Sequence, residues 1–599
     1  MAIAFCLSML CFTACGSSEG ANVGNGIDKS DETENKNDKE DGNSEDDPDD
    51  NTEKGDKEDG SSQVTVTGIT LNKTSLTLQK KKSETLVATV SLKIGDVELS
   101  VSSNAQNAAI NVKVDWESSL PSVATVENGT VKAIADGEAT ITAKAGDKNS
   151  TCKLKVESPK IPQFDIPEGG FDTSQQVTIT FYHAIIPNLS GVLDHYIVEF
   201  NKLYPNIRVT HEQIGSYDDV RDAVNRGIMQ GKQPNIAYCY PDHVAIFNQA
   251  NAVVPLNNFL ADSDYGDMTV TRTDGSEEPL CLTQAQKDAF IQGFYNEGFN
   301  YGDGSTMYSL PFMKSAEVMY YNKTFFEKHN LKVPETWDEM EEVCAKIKAI
   351  DKNCTPLGYN SEANLFINLC KQYGSGYTSA EGEHFLFDNA KNRENVQRLQ
   401  EWRQKGYFTT TELNDQYTDH LFTSQKSYMC IGPSASAKYM LPAKVNGEYP
   451  FETEIASIPQ ADPSNPKVIA TGPSLCLLKQ DDPQEVLASW LFVKFLTTCV
   501  DFQADYSVAS GYLPVLNMDT MLTNAGYAAL LKMANGFDYL SCLAQKVSLE
   551  QADAYFTTPA FVGSTKAREE VGNLLVAVLK HGKTLEEAFK DAIKQCNGF

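Results

Sequence analysis

The chain is short of positive charge. Its 599 residues carry 51 Lys and Arg against 81 Asp and Glu, a formal net charge of -30. A nucleic-acid partner needs a basic face to meet phosphates, and so does an anionic lipid surface, so composition argues against both. Long apolar runs are lacking as well. No stretch approaches the 18 or so apolar residues of a membrane span. Catalytic signatures are equally scarce. There is no H-E-x-x-H, the eight His are scattered, and no G-x-S-x-G elbow occurs. Gly227 to Gln233 imitates a phosphate loop but has the wrong spacing and lacks the Ser or Thr. Nothing selects a pair for glycoside hydrolysis among the 81 acids. Fourteen cysteines include no C-x-x-C pair. Cys6, Cys11 and Cys15 lie at the extreme N-terminus. The remaining eleven, odd in number and irregularly spaced, read as small core residues rather than a disulfide framework. The expectation is therefore a protein that is not an enzyme, with no cofactor and no metal.

What is present divides into five parts. Met1 to Ala14 is apolar, uncharged and too short to span a bilayer, and it meets Cys15-Gly16-Ser17-Ser18. The run Phe12-Thr13-Ala14-Cys15 resembles a bacterial lipoprotein signal, which implies lipidation at Cys15 and attachment to the outer face of the cell membrane. Residues 16–62 are polar and acidic. Residues 27–60 alone hold sixteen acidic and five basic residues, net -11, which leaves -19 for the rest. Such a segment cannot bury enough apolar surface to offset chain entropy, so it reads as a disordered tether.

From Val64 the pattern changes to short alternating stretches such as Leu76-Thr77-Leu78, Val123-Ala124-Thr125-Val126 and Ala139-Thr140-Ile141-Thr142-Ala143. They are separated by turns at Asn128-Gly129 and Asp136-Gly137, and period-2 segments so punctuated predict a small antiparallel sandwich over 63–158. The phrases GITLNKTSLTL and VDWESSLPSVATVENGTVKAIADGEATITAKAG resemble the bacterial immunoglobulin-like domain of the second group, which implies a stalk, with an adhesin as the alternative. Residues 159–175, rich in Pro and Gly, read as a linker.

Residues 176–599 are the working part. A β-branched strand at Val177 to Tyr182 is followed by a helical pattern at Gly191 to Leu203. A second strand at Ile207 to Thr210, a helix at Asp218 to Gln230 and a third strand at Ile236 to Tyr240 come next. That alternation predicts a parallel sheet with covered faces, and in such sheets ligands sit outside the carboxyl ends of the strands. The rule points to Tyr182, His183, Tyr240 and Asp242. The sequences FNKLYPNIRVTHEQIGSYDDV, QPNIAYCYPDHVAIFNQANAVVPLNNFL and MYSLPFMKSAEVMYYNKTFFEKHNLKVPETWDEMEEVCAKI resemble the extracellular solute-binding proteins of ABC importers, in the subgroup binding sugars and glycerol phosphates. SYMCIGPSASAKYM, VIATGPSLCLL and GYLPV extend the likeness.

The resemblance implies an α/β fold of two lobes joined by crossing strands, closing on a solute and delivering it to a membrane permease, as a monomer. Carried over by position, it implies Asp242 as an acceptor of sugar hydroxyls and Glu362 in YNSEAN as a second carboxylate. Ser434 and Ser436 stand where sugar binders often place Trp, and Tyr512 in GYLPV is placed to offer an aromatic face instead. Lys314 in PFMKSAEV, with a Ser-x-Ser opening a helix, suits an anion. A neutral saccharide and a phosphorylated polyol are both open. The saccharide is favoured because Asp242 would repel a phosphate and the domain is acidic. Trp402 and Trp490 read as packed core rather than sugar platforms.

Overall fold

The computed structural model describes residues 64–80, 82–103, 113–158, 161–533 and 539–598. Cys15 and the segment 16–62 lie outside the described residues. The chain divides into two compact units, ending and beginning at Ser158 and Pro159.

The first unit is all-β. Strands Val64–Leu71, Ala88–Ile94 and Val97–Ser102 form one sheet. A second contains Ser75–Gln79, Lys148–Glu157, Gly137–Ala145 and Asp115–Ser118, and a third joins Ser83–Thr85, Thr130–Ala133 and Ala124–Glu127. The predicted Asn128-Gly129 turn makes the last hairpin, with both residues at positive φ (49° and 83°). Two-residue turns of this hand match the twist of the flanking strands. Leu76, Leu86, Val131, Ile141, Cys152 and Leu154 fill the space between the layers.

The second unit begins with a departure from expectation. The Pro- and Gly-rich residues from 161 to 175 lie packed on this unit. Phe164 stacks on Phe259 at 5.7 Å, and its carbonyl accepts from Asn258 at 2.9 Å. Gln484 accepts from the Asp172 N–H and donates to the Gly170 carbonyl. Four prolines and glycines over these positions signalled the lack of regular structure but could not signal the lack of freedom.

The first lobe follows the predicted alternation. Strand β1 (Val177–His183) leads to α1 (Pro187–Leu203), β2 (Ile207–Gln213), α2 (Tyr217–Gln230), β3 (Ile236–Cys239) and α3 (Pro241–Gln249). The chain then reaches β4 (Leu310–Pro311) and crosses into the second lobe as β5 (Ser315–Asn322). That lobe contains β6 (Leu357–Tyr359), α4 (Glu362–Gln372), β7 (Phe408–Thr410), β8 (Met429–Pro433), β9 (Thr453–Ala456) and β10 (Val468–Thr471). Strand β11 (Ser474–Leu477) returns to the first lobe and continues into α5 (Pro483–Thr498) and α6 (Val500–Ser510). The chain ends in the second lobe with α7 (Tyr539–Glu550), β12 (Tyr555–Phe556), α8 (Ser564–Leu579) and α9 (Leu585–Asn597).

Strand order in the first lobe is β2-β1-β3-β11-β4, with β1 parallel to β2 and β3 and the returning β11 antiparallel. The second lobe runs β7-β6-β8-β5-β10-β12, with β9 also on β5. The central strands, β3 and β11 in the first lobe and β5, β6 and β8 in the second, are buried, as a covered α/β sheet requires, while the edge strand β2 is largely open. Trp490 and Trp402 are core residues, as their helical patterns predicted. Of the eleven described cysteines ten are buried and Cys499 is half-buried, in keeping with small core residues. Among the described residues no helix is long and apolar enough to cross a membrane.

The lobes are joined at a narrow crossing. Gly472 sits between β10 and β11 at φ 139°, and a Cβ there would stand 2.5 Å from the Met313 carbonyl oxygen and 2.9 Å from the Lys314 Cα. Only glycine lets the two crossing chains approach so closely. Gly472→Ala should therefore destabilise the large unit by about 1–3 kcal/mol in denaturant unfolding. Gly169→Ala, at a site with no atom within 4 Å, should be close to neutral. Equal effects of the two changes would remove the steric account of the crossing.

Candidate solute site between the lobes

The carboxyl ends of β1, β2 and β3 bring three loops together, and an aromatic wall stands there. Tyr217 opens α2 and Tyr240 caps α3. Their rings stack at 4.3 Å with 22° between planes, and Tyr238 stacks on Tyr217 at 5.3 Å. The Tyr217 and Tyr238 hydroxyls are 3.2 Å apart. Tyr512 joins this group. Burial raises its phenol, with the Tyr217 hydroxyl opposing, and burial likewise raises Tyr217 and Tyr240, with Tyr512 adding to both. Tyr217 was missed in the sequence, although it follows β2 as Tyr240 follows β3, so the same carboxyl-end rule reaches it.

Asp242 lies one residue beyond Pro241 in the first turn of α3 and is largely covered. Its Oδ2 accepts from the hydroxyl of Thr565, which opens α8 in the other lobe. One turn along α8 is Arg568. Its Nη2 donates to Asn364 Oδ1 at the start of α4. Burial raises the phenol of Tyr240 across the cleft, and the Arg568 charge opposes that rise. Thr565 and Arg568 thus face the first lobe from i and i+3 positions of one helix. Neither was singled out in the sequence. Arg568 is the only arginine after Arg403, but nothing in its flanking residues connects it to Tyr240.

The other predicted positions are distributed differently. Tyr182 is half-buried at the end of β1, packed against the cluster that holds Val220, Val224 and Ala237. His183 is fully buried: its Nδ1 accepts from the Ile185 N–H at 3.1 Å, and its Nε2 lies 2.8 Å from His211 Nδ1. Burial, with His211 adding to it, lowers His183 to about 4. It shapes the loop before α1 and is a neutral structural ring, a correction to its expected contact with solute. Glu362 is buried at the start of α4, its Oε1 accepting from the Glu412 N–H at 2.8 Å. Ser434 is buried too, with its hydroxyl 3.4 Å from both Ser315 Oγ and the Ala316 N–H. The segment it opens, Ser434–Met440, is a 3-10 turn of seven residues and not the expected anion-binding helix. Ser436 is half-buried in that turn. The turn still reaches the cleft, since a Cβ on Gly511, beside Tyr512, would meet the Ala435 carbonyl at 3.4 Å.

Lys314 is the clearest correction. It is 0 % exposed, and its ammonium donates to Glu297, to the Gly472 carbonyl at 2.9 Å and to Ser474 Oγ at 3.1 Å. Ser474 Oγ donates in turn to Glu297 at 2.6 Å. All three protons are used, so the amine is a structural tie and not a phosphate ligand. Among the described residues no three His, Cys, Asp or Glu side chains converge as a metal site. A separate groove of about 440 Å³ lies on the first lobe beside α1 and α6, near Tyr196, Asp505 and Tyr527; none of the cleft residues lines it.

Two lobes joined by crossing strands, with an aromatic wall on one and polar groups on the other, define a binding protein that holds a solute between domains. The profile of the bacterial extracellular solute-binding proteins matches residues 195–527, and the chain belongs to that family, whose members are binding proteins rather than enzymes. A bacterial Ig-like domain of group 2 matches residues 65–156. The sn-glycerol-3-phosphate-binding periplasmic protein UgpB of Salmonella typhimurium is 23% identical over 364 residues, 58% of this chain and 76% of the relative. Among solved structures, the cyclic alpha-maltosyl-1,6-maltose binding protein from Arthrobacter globiformis aligns with TM-score 0.55 at 17% identity, covering 70% of this chain and 98% of its own. The sugar-binding protein MalE from Xanthomonas citri aligns at 0.56 and 16%, covering 70% and 96%. UgpB from Mycobacterium tuberculosis, solved with glycerophosphocholine, aligns at 0.52 and 15%, covering 70% and 97%. The last three likenesses establish the fold.

Lys314→Met should cost about 3–5 kcal/mol of unfolding free energy, because Glu297 is left as an unpaired buried charge. Adding Glu297→Gln to Lys314→Met should restore part of that loss. Chemical denaturation of the three proteins measures it. Unchanged stability of Lys314→Met, with lost solute affinity, would return the amine to the ligand.

Proposed function

We propose that the protein captures a carbohydrate outside the cell by closure of its two lobes and delivers it to an ABC permease in the membrane, held there by lipid on Cys15. The observation that carries the reading is the pairing of Asp242 with the Tyr240–Tyr217 stack at the carboxyl ends of the parallel strands. A sugar presents hydroxyls to carboxylates and apolar ring faces to aromatics, and both are supplied within one loop cluster. A second reading, a glycerol-phosphate type of solute, is favoured by Arg568. A guanidinium at the cleft suits a phosphate better than the buried Lys314 does, because its planar fork binds oxyanions in pairs. The relatives named for sn-glycerol 3-phosphate and for maltosyl sugars support the two readings respectively.

A thermal-shift screen against mono-, oligo- and phosphorylated sugars, followed by calorimetry, separates them. A solute at a hundredfold excess over its dissociation constant should add about 2.7 kcal/mol. For a neutral saccharide, Asp242→Ala should weaken binding about ten- to a hundredfold, with little dependence on salt. A phosphoester would make Arg568→Ala the costlier change, and added salt would weaken binding. Turnover of any saccharide in these samples would overturn the binding-protein reading.

Two further expectations belong to the rest of the chain. Deleting residues 64–157 should leave solute affinity unchanged, since that unit has its own core. A tenfold loss in calorimetry would end its reading as a stalk. Cys15→Ser should move the processed protein from the membrane fraction to the soluble one, and persistent attachment would remove the lipid anchor.

A further inference from the structure

A carboxylate sits where the apolar pattern of β5 asks for an aliphatic side chain. Glu317 is 2 % exposed, with Ala316 and Val318 beside it equally buried. A buried acid persists only with partners, and three donors converge on this one. Asn364 Nδ2 reaches Oε1 at 2.8 Å, Asn368 Nδ2 reaches Oε2 at 2.6 Å, and the Tyr359 hydroxyl also donates to Oε2. The Asn368 amide is fixed at its other end, where its Oδ1 accepts from the Ile469 N–H at 2.9 Å. Asn364 is the arm that leads outward. With its NH2 group on Glu317, its Oδ1 must point the opposite way, and there it accepts from Arg568 Nη2. Turning that amide over would set an NH2 group against a guanidinium, two donors face to face. Beyond Arg568 stands Tyr240 of the first lobe, which feels its charge.

We propose that Glu317 is a positioning residue for the solute site: through the Asn364 amide it fixes where the Arg568 guanidinium stands in the cleft. The inference rests on the reading of the cleft as the solute site, but Glu317 itself does not touch the solute. The relay carries its own dependence on pH. The groups facing Glu317 are Tyr359 from β6 and Arg568 from α8, with Gln551 on its backbone carbonyl and Tyr555 beyond that amide. Burial raises the carboxyl to about 7 against the pull of its three donors and of Arg568. Protonation removes the charge that orients Asn364, so the hold on Arg568 loosens as pH falls through neutrality.

The chain has eight arginines, so selective labelling with nitrogen-15 arginine reads Arg568 in the full-length protein without solute, its signal assigned by its loss in Arg568→Lys. The Arg568 signal should shift with a midpoint near pH 7 in the unmodified protein and show no such step in Glu317→Gln. The unmodified titration needs no variant to fold. Asn364→Ala should also abolish the step, since it cuts the relay between its ends. In parallel, calorimetry with sn-glycerol 3-phosphate and with maltose should show whichever probe binds weakened about tenfold by Glu317→Gln above neutral pH. Glu317→Asp should recover part of the loss, and the gap should close below about pH 6, where the native carboxyl is protonated too. An Arg568 signal that titrates identically in the unmodified protein and in Glu317→Gln overturns the proposal, as does equal affinity above neutral pH. If neither probe binds while Arg568 still follows Glu317, the relay stands and the proposed solute class falls.

Discussion

Everything in the two-lobed unit turns on one buried ammonium. Lys314 lies between β4 and β5, its Nζ grips the Gly472 carbonyl and Ser474 on the returning crossing, and its backbone exchanges hydrogen bonds with Leu513 on a third segment. Three stretches of chain, far apart in sequence, are thereby fixed to one point. A lysine and a glutamate taken out of water are costly unless each finds its partner with good geometry. The arrangement tolerates few alternatives, because separating any strand exposes a charge without a partner. The crossing is thus a fixed point shared by both lobes, and any motion of one against the other must be taken up in the residues flanking it.

That fixed point holds together two faces of the cleft that differ in chemistry. The first lobe offers flat aromatic surface from Tyr217, Tyr240 and Tyr512, side chains with few rotatable bonds that are held against one another. The second lobe offers hydrogen-bonding groups and charge, with Thr565 and Arg568 on a single turn of α8. Neither surface alone suits a polyhydroxylated solute. The Asp242–Thr565 contact shows the two faces within direct reach, so a solute binding there exchanges protein–protein hydrogen bonds for its own.

How far the sequence carried this picture depends on the length of chain each inference spans. Strand–helix alternation from Val177 to Cys239 is local, and β1, α1, β2, α2 and β3 fall where the periods placed them. The carboxyl-end rule then located Tyr240 and Asp242, because it needs only the end of a strand. It overreached at His183, where alternation along β1 turns the ring into the core beside His211 rather than toward solvent. Lys314 was legible as a candidate anion ligand but not as paired. Its partners are 17, 158 and 160 residues away, and no local pattern encodes such contacts. The same separation hid Arg568, which lies 204 residues from Asn364. Glu317 left the best trace of the unseen site, since a lone acid inside an apolar strand has to be answered by something.

Those hidden pairs also change which electrostatic argument applies to the solute. The net charge of -30 suggests a protein hostile to anions, but eleven of those charges lie in residues 27–60. Charges more than about 8 Å from a site are largely screened at physiological ionic strength. On the proposed reading of the cleft, what a solute meets is local: Asp242 on one face, Arg568 on the other, and behind Arg568 the buried carboxyl of Glu317. A carboxylate and a guanidinium facing one another across a closing cleft leave little net field, which suits a neutral polyol. Acidification tilts the balance. When Glu317 takes up a proton the guanidinium is held less firmly, so on the proposed relay a solute that depends on Arg568 is bound less well. On that reading, solute preference follows from a handful of groups within one side chain's reach of the cleft rather than from the composition of the chain.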